Sequence, residues 1–342
     1  MPDFTSTFDP SAPASAAVEG ASASNREDLT DVLTILAPEE TPVLSSANRQ
    51  RASSTFVEWT VDSLADVSTA GISEGADVTF GAQSDVFSGR ARLGNYIQKF
   101  RRDYKVSDLQ EAVDSVGPAK IAQAEAKAIR ELKRDIEATL CSTNDLQAET
   151  GSVPYKLRGL GSWIDSVAQS TSPVPQDYRT PADSIYTQAE ATANPFSESK
   201  LNDIITSMFR VTGSSNSLML VADTALRREI SDFARVLETG VNDLRKVNYA
   251  GGDAEIKVSV DLYQSDHGVI SIVNMNPDCS PNTTDKDVGY IVNPEYYGVH
   301  ELIPMGSTRL PNQGGGERGY VDCALTLGVY HPGAHGKIDA IA

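Results

Sequence analysis

Few residues in this chain have the types and spacing that chemistry asks for. His331 and His335 stand four apart, the interval at which a helix would offer two imidazoles to one metal ion. Pro332 and Gly333 lie between them, so the segment reads as a C-terminal loop and no metal site is expected. His267 sits in Ser265-Asp266-His267-Gly268, a turn between apolar runs, and no GxSxG nucleophile elbow occurs. Gly314-Gly315-Gly316-Glu317-Arg318-Gly319 is rich enough in glycine to cradle a phosphate, yet no helical pattern follows to present its amides. Glu39 and Glu40 are adjacent carboxylates in a chain full of them. Cys141, Cys279 and Cys323 lack CxxC spacing, offer neither a disulfide framework nor a zinc site, and fit a reducing compartment such as a cytoplasm. Asn282-Thr283-Thr284 spells a glycosylation sequon, which carries no meaning without secretion. Neither an enzyme nor a bound cofactor is expected.

Charge is more informative. The 342 residues carry a net charge of −18, which opposes general attraction to phosphate backbones and favours repulsion between copies. One stretch departs from this. Residues 84–108 hold Arg90, Arg92, Lys99, Arg101, Arg102 and Lys105 against Asp85, Asp103 and Asp108. Lys99, Arg101 and Lys105 alternate with Tyr96, Phe100 and Tyr104, as on a strand with one cationic and one apolar side. Val57, Trp59 and Val61 alternate likewise, and the stretch between is too polar for a core, with Gly71, Gly75, Gly81, Gly89 and Gly94. This predicts a long hairpin whose tip projects from the body. Its six cations are then the expected contact with an acidic surface on another copy of the chain.

The positioning elements follow from periodicity. Pro118 opens a helix running to Leu140, whose stripe is Ile121, Ala128, Ile129, Leu132, Ile136 and Leu140. Lys127/Glu131 and Lys133/Glu137 are expected as ion pairs on its outer face. Residues 1–24 are Ser/Ala-rich and read as a flexible arm. A short helix is predicted from the Ser24/Glu27 capping box to Ala37, ended by Pro38. Further helices are expected near 197–209 and after Asp223, with strands at 218–222, 256–262, 269–273, 288–292 and 321–329. Residues 166–195 are punctuated by four prolines and read as loop, while Gly159 to Ile164 forms a tight turn leading to apolar anchors. The pattern is α+β, in one or two mixed layers. No apolar run is long enough for a membrane span, and no basic patch with an apolar core suggests a Sec-type signal.

Several segments, taken in order, resemble one family of tailed-bacteriophage major capsid proteins. They are Arg26 to Ile35, Pro38 to Ser45, Phe56-Val57-Glu58-Trp59, Glu74-Gly75-Ala76-Asp77 and Arg92-Leu93-Gly94-Asn95-Tyr96. Glu131-Leu132-Lys133-Arg134-Asp135, Gly159 to Ile164 and Ala334-His335-Gly336 continue the series, so the resemblance spans nearly the whole chain. It departs from the family pattern at Met305 to Arg318 and Tyr330 to Pro332.

The resemblance implies the Hong Kong ninety-seven-type fold. Residues 1–50 would be the N-terminal arm, 51–110 the extended loop, 111–194 with 300–342 the peripheral domain carrying the spine helix 118–140, and 195–299 the axial domain. It also implies a protein that self-assembles, as hexamers and pentamers, into the icosahedral head shell around double-stranded DNA. DNA would be touched only non-specifically, and portal, scaffold or decoration proteins are possible partners. The protein would assemble in the bacterial host cytoplasm and reside in the virion. Two alternatives stay open at this point: another virion component such as a decoration or tail protein, and an unrecognised hydrolase.

Overall fold

The structure is a computed structural model and describes residues 40–64, 67–78, 89–112, 120–167, 170–187, 190, 195–213, 217–233, 261–282, 284–285 and 287–339. The flexible arm 1–24, the helix expected at 24–37 and most of the strand expected at 256–262 lie outside these residues. The helices are α1 (Pro42–Ser46), α2 (Asp108–Ala112), α3 (Lys120–Leu140), α4 (Leu160–Trp163), α5 (Glu198–Thr212) and α6 (Thr224–Asp232). The strands are β1 (Asn48–Arg51), β2 (Phe56–Val61), β3 (Ala91–Tyr96), β4 (Gln98–Val106), β5 (Ile185–Tyr186) and β6 (Leu218–Ala222). They continue with β7 (Leu262–Ser265), β8 (Gly268–Asn274), β9 (Gly289–Val292), β10 (Tyr297–Leu310), β11 (Glu317–Val329) and β12 (Gly336–Ile338). No described helix is long and apolar enough to cross a membrane.

The stripe of α3 acts as the periodicity requires. Ala128, Leu132, Ile136 and Leu140 are buried, with Ile121 and Ile129 packed at the margin. They meet the inward side chains of a four-stranded sheet ordered β1-β10-β11-β4, among them Phe100, Tyr104, Val321, Cys323 and Leu325. On the outer face Lys127 and Glu131 lie 3.8 Å apart, as expected from their i,i+4 spacing. The second expected pair does not form. Lys133 is exposed, whereas Glu137 is fully buried and accepts the Val43 and Leu44 amides, each at 2.9 Å. Residue 137 falls one place after Ile136, on the shoulder of the stripe, and α1 closes over that shoulder.

A six-stranded sheet, β5-β12-β9-β6-β8-β7, forms the second body. β6 is apolar throughout and buried throughout, paired parallel to β8 and antiparallel to β9. Leu201, Ile204, Ile205 and Met208 of α5, with Leu226 and Ile230 of α6, cover one of its faces. Asp223 caps α6 by accepting the Thr224 amide. Strand pairing cuts across the segment boundaries expected from the sequence. β5 and β12 come from 111–194 and 300–342, yet both belong to the sheet of the 195–299 body.

The β10–β11 hairpin supplies the long spine of the four-stranded sheet. Gly314, Gly315 and Gly316 turn it with φ of 81°, 157° and 118°. A side chain at Gly316 would run into the Val106 carbonyl. This glycine run is thus a hairpin turn. At the C-terminal corner Pro332–Ala334 makes a single 3-10 turn, and His335 is fully buried, its Nδ1 accepting the Asn293 amide at 3.2 Å. No cluster of metal-ligating side chains occurs among the described residues.

Two outcomes test this packing. Leu132→Ala should lower the unfolding free energy by about 2–5 kcal/mol in denaturant titration, whereas Lys127→Ala should cost no more than about 0.5 kcal/mol. Burial holds the His335 pKa down to about 4, so this ring is neutral in the fold and protonates in the unfolded chain near 6.5. Its contribution is present above 6.5 and is lost as pH falls toward 4. A His335→Asn variant should lack that part of the acid slope when unfolding is followed from pH 7 to pH 4.

Candidate subunit interface

The expected hairpin is built differently from its sequence reading. β2 pairs with β3, matching Phe56 with Tyr96 and Trp59 with Leu93, so the returning strand is 91–96 rather than 96–106. At Ile97, which is buried and donates its amide to the Thr55 carbonyl, the chain leaves the ribbon. β4 then enters the body sheet against β11, pairing Arg101 with Asp322 and Phe100 with Cys323. Phe100 and Tyr104 are buried toward α3, so β4 is a strand of the core and does not project.

The cations of this stretch hold acids of their own chain. Arg102 lies on the α3 side of β4, and its Nε and guanidinium NH2 reach the two Asp135 oxygens at 2.6 and 2.7 Å. Those hydrogen bonds raise the Arg102 pKa. On the open side of the sheet Lys99 meets Asp322 at 3.1 Å, and Arg101 meets Asp103 at 3.0 Å. Arg90 is bound to Asp62 and Arg92 to Glu58, at 3.0 and 3.7 Å, toward the loop end of the ribbon. Lys105 is exposed and makes no ion pair among the described residues. An acidic strip in the same chain is what a packed strand needs, and Asp135 and Asp322 provide it. The pairs at Lys99 and Arg101 are nonetheless exposed, and exposed pairs contribute only ~0–1 kcal/mol. They can therefore be exchanged at little cost.

An aromatic joint fixes the ribbon to the body. Trp59 of β2 packs 5.6 Å from Trp163, stacks on His300 with an interplanar angle of 4°, and meets the edge of Tyr330 at 6.1 Å. Arg158, only 1% exposed, lies 4.7 Å over Trp163 and is held by Asp145. His300 fits because residue 328 is glycine; a Cβ there would stand 2.7 Å from its Nε2. The composition of the segment signalled none of these partners in advance, since each lies far along the chain.

Beyond the joint the loop is bare. Leu64, Val67, Ile72 and Val78 are 98, 93, 89 and 79% exposed, and the described residues from 62 to 78 form neither helix nor strand. From residue 62 to 89 the sequence holds Asp62, Asp66, Glu74, Asp77 and Asp85 and no Lys or Arg. The loop is acidic and apolar; the open sheet face sets Lys99, Arg101, Lys105 and Arg318 against Asp103 and Asp322 and so carries the opposite net sign.

Comparison with known proteins adds the context. The profile of a family described as SU10 major capsid protein matches residues 11–342. No curated protein matches the chain. Among solved structures the chain is similar to the capsid of cyanophage P-SCSP1u, with 13% identity and a TM-score of 0.61 over 93% of each chain. It is similar to the capsid of cyanophage A-1(L), with 16% identity and a TM-score of 0.61 over 94% of this chain and 97% of that one. The capsid of a native GTA particle gives 12% identity and a TM-score of 0.60 over 95% and 97% of the two chains. At these identities the likeness is one of fold, and that α+β fold is the Hong Kong ninety-seven type.

The two kinds of cation on β4 should behave differently in the unassembled subunit. Arg102→Ala should lower the unfolding free energy by about 0.5–1 kcal/mol in urea, because it unties β4 from α3. Lys105→Ala should leave the urea midpoint unchanged.

Proposed function

The chain belongs to the SU10 major capsid protein family, and we propose that it builds a phage head shell by laying the acidic loop of one copy across the basic sheet face of the next. Membership makes it a structural shell subunit of the virion that associates with its own kind, and not an enzyme. The observation that carries the proposed contact is the pairing of opposites. The loop 62–78 has acids and four exposed apolar side chains, while the open face of β4 and β11 has Lys99, Arg101, Lys105 and Arg318 against Asp103 and Asp322, an excess of positive charge. Seating Leu64 and Ile72 on a neighbour would contribute about 1.5–3 kcal/mol each. In a closed ring the same contact repeats at every subunit. The cations of the sequence reading thus keep their role as contacts, but as the receiving surface and not as the projecting one. Arg90, Arg92 and Arg102 fall outside this surface, since they brace the ribbon and the helix.

In the same reading residues 1–50 are the arm, 51–110 the extended loop ending in the body strand β4, 111–194 with 300–342 the peripheral domain, and 195–299 the axial domain, to whose sheet β5 and β12 are lent. Copies would form hexamers and pentamers and enclose double-stranded DNA. The net charge of −18 supports a purely non-specific relation to that DNA. Free, buried Cys141, Cys279 and Cys323 support assembly in the host cytoplasm. Portal, scaffold or decoration proteins would meet the finished shell or its precursor.

Charge reversal with rescue tests the contact. Lys99→Glu with Arg101→Glu should melt like the parent subunit by circular dichroism yet sediment as unassembled protein. Glu74→Lys with Asp77→Lys should do the same. The four changes together should restore shells in electron micrographs. Normal assembly of the first variant, or no rescue by the quadruple one, would remove these charges from the interface.

A further inference from the structure

Near its C-terminus the chain crosses between its two sheets twice, and the two crossings lie side by side. Residues 293–296 lead from β9 of the six-stranded sheet to β10 of the four-stranded one, and residues 330–335 lead back from β11 to β12. Backbone amides sew the crossings together. Tyr330 donates its amide to the Tyr296 carbonyl at 2.8 Å, and Asn293 donates its amide to His335 Nδ1 at 3.2 Å. The first bond joins two backbone groups and cannot titrate; the second ends on an imidazole. The His335 ring is 0% exposed and meets the Tyr297 ring at right angles, with 6.1 Å between centroids. The segment has no slack, since a Cβ on Gly336 would stand 2.9 Å from the Ile204 side chain.

We propose that His335 is an acid-released clasp between the two crossings, one that holds only as the neutral ring with a bare Nδ1. The direction follows from the geometry. A backbone N–H can only donate, so the nitrogen that receives the Asn293 amide carries a lone pair and no proton. The closed ring is therefore the Nε2–H tautomer. A proton added at Nδ1 would point at the Asn293 N–H, and the resulting cation would be wholly buried.

The surrounding groups do not offset that charge. His331, in the same turn, can only repel it, and no carboxylate acts on the ring among the described residues. Tyr297 of β10 is pushed up to about 12 and Tyr290 of β9 well above its ordinary value, so both are neutral. Glu137, which acts on Tyr297, is engaged by the Val43 and Leu44 amides. Lys337 of β12 pairs with Asp339 at 3.1 Å, and α5 faces the segment with Ile204, Met208 and Val211. Glu295 of the first crossing and Asp183 before β5 are exposed. Burial lowers the His335 pKa to about 4, outweighing the Tyr296 carbonyl, which favours the proton. Once the crossings part, the ring meets water and takes a proton near 6.5. The clasp has its full hold above 6.5 and loses it as pH falls toward 4. Mild acid thus creates a point of give at the junction of the sheets, while the strands keep their pairing.

Hydrogen exchange of the full-length, unassembled subunit tests this, read on peptides covering residues 293–297 and 330–335. After correction for intrinsic rates, their opening constant should rise roughly twentyfold between pH 7 and pH 5. At pH 5 it should exceed that of the α3 peptide 128–140, which opens only when the chain unfolds. In His335→Asn, whose side-chain oxygen can accept the same amide without titrating, the profile should be flat. A flat wild-type profile, the same rise in His335→Asn, or equal opening constants for the crossings and α3 would overturn the proposal. Should the variant fail to fold, nitrogen-15 resonance of the His335 ring in the wild-type chain at pH 7 decides alone. A bare Nδ1 supports the clasp, and a proton on Nδ1 rejects it.

Discussion

Leu132, Ile136 and Leu140 lose all contact with water by lying against the four-stranded sheet, and Ala128 keeps the helix close where a larger side chain would lift it. Each buried Leu or Ile contributes about 1.5–3 kcal/mol. The larger consequence is geometric. A rod of 21 residues fixes the direction of β4 and β11, and β11 fixes β10 and through it β1. The same helix carries Asp135 to Arg102 and Glu137 to α1. The two flanking segments, ribbon and arm, therefore leave the body from positions set by one helix face.

The second body is joined to the first through strands that have no solvent side. On β6, Met219 and Val221 point into the core that contains α3, while Leu218, Leu220 and Ala222 point into the core under α5 and α6. β9 repeats the division with Tyr290 and Val292 on one side and Ile291 on the other. Tyr290 also donates its hydroxyl to the Cys141 carbonyl at 2.8 Å, at the end of α3. Strands buried on both faces, as β6 and β9 are, cannot yield on either side without opening a cavity. The two bodies share the side chains of these strands.

Electrostatics divide by depth. At the surface the charges are paired loosely and can change partners, as at Lys99 and Arg101. In the interior Arg158 is satisfied by Asp145 and by the Ser172 carbonyl at 2.8 Å. Glu137 has two amides and, among the described residues, no cation. His335 weakens the fold as it gains a proton.

The sequence alone determined whatever rests on local repetition. The α3 stripe, the apolar β6, the Asp223 cap and the alternation of β11 all came through, because burial of a regular element leaves its period in the residues. Membership of the capsid family was legible in the same way, from short segments in a fixed order. What tertiary structure decided is where one segment depends on another that is distant. β10 leaves no alternating pattern in the sequence, because Pro304 and two register shifts between Glu301 and Gly306 break it. β1 reads Asn-Arg-Gln-Arg and is exposed throughout, a strand only because β10 lies beside it. β4 has the alternation of a hairpin arm, and nothing local says that its partner is β11 and not β2. Glu137 is spaced from Lys133 as a surface ion pair would be. Only the arrival of the Val43 and Leu44 amides makes it a buried acceptor, because a hydrogen bond across 94 residues leaves no trace in the spacing of either end.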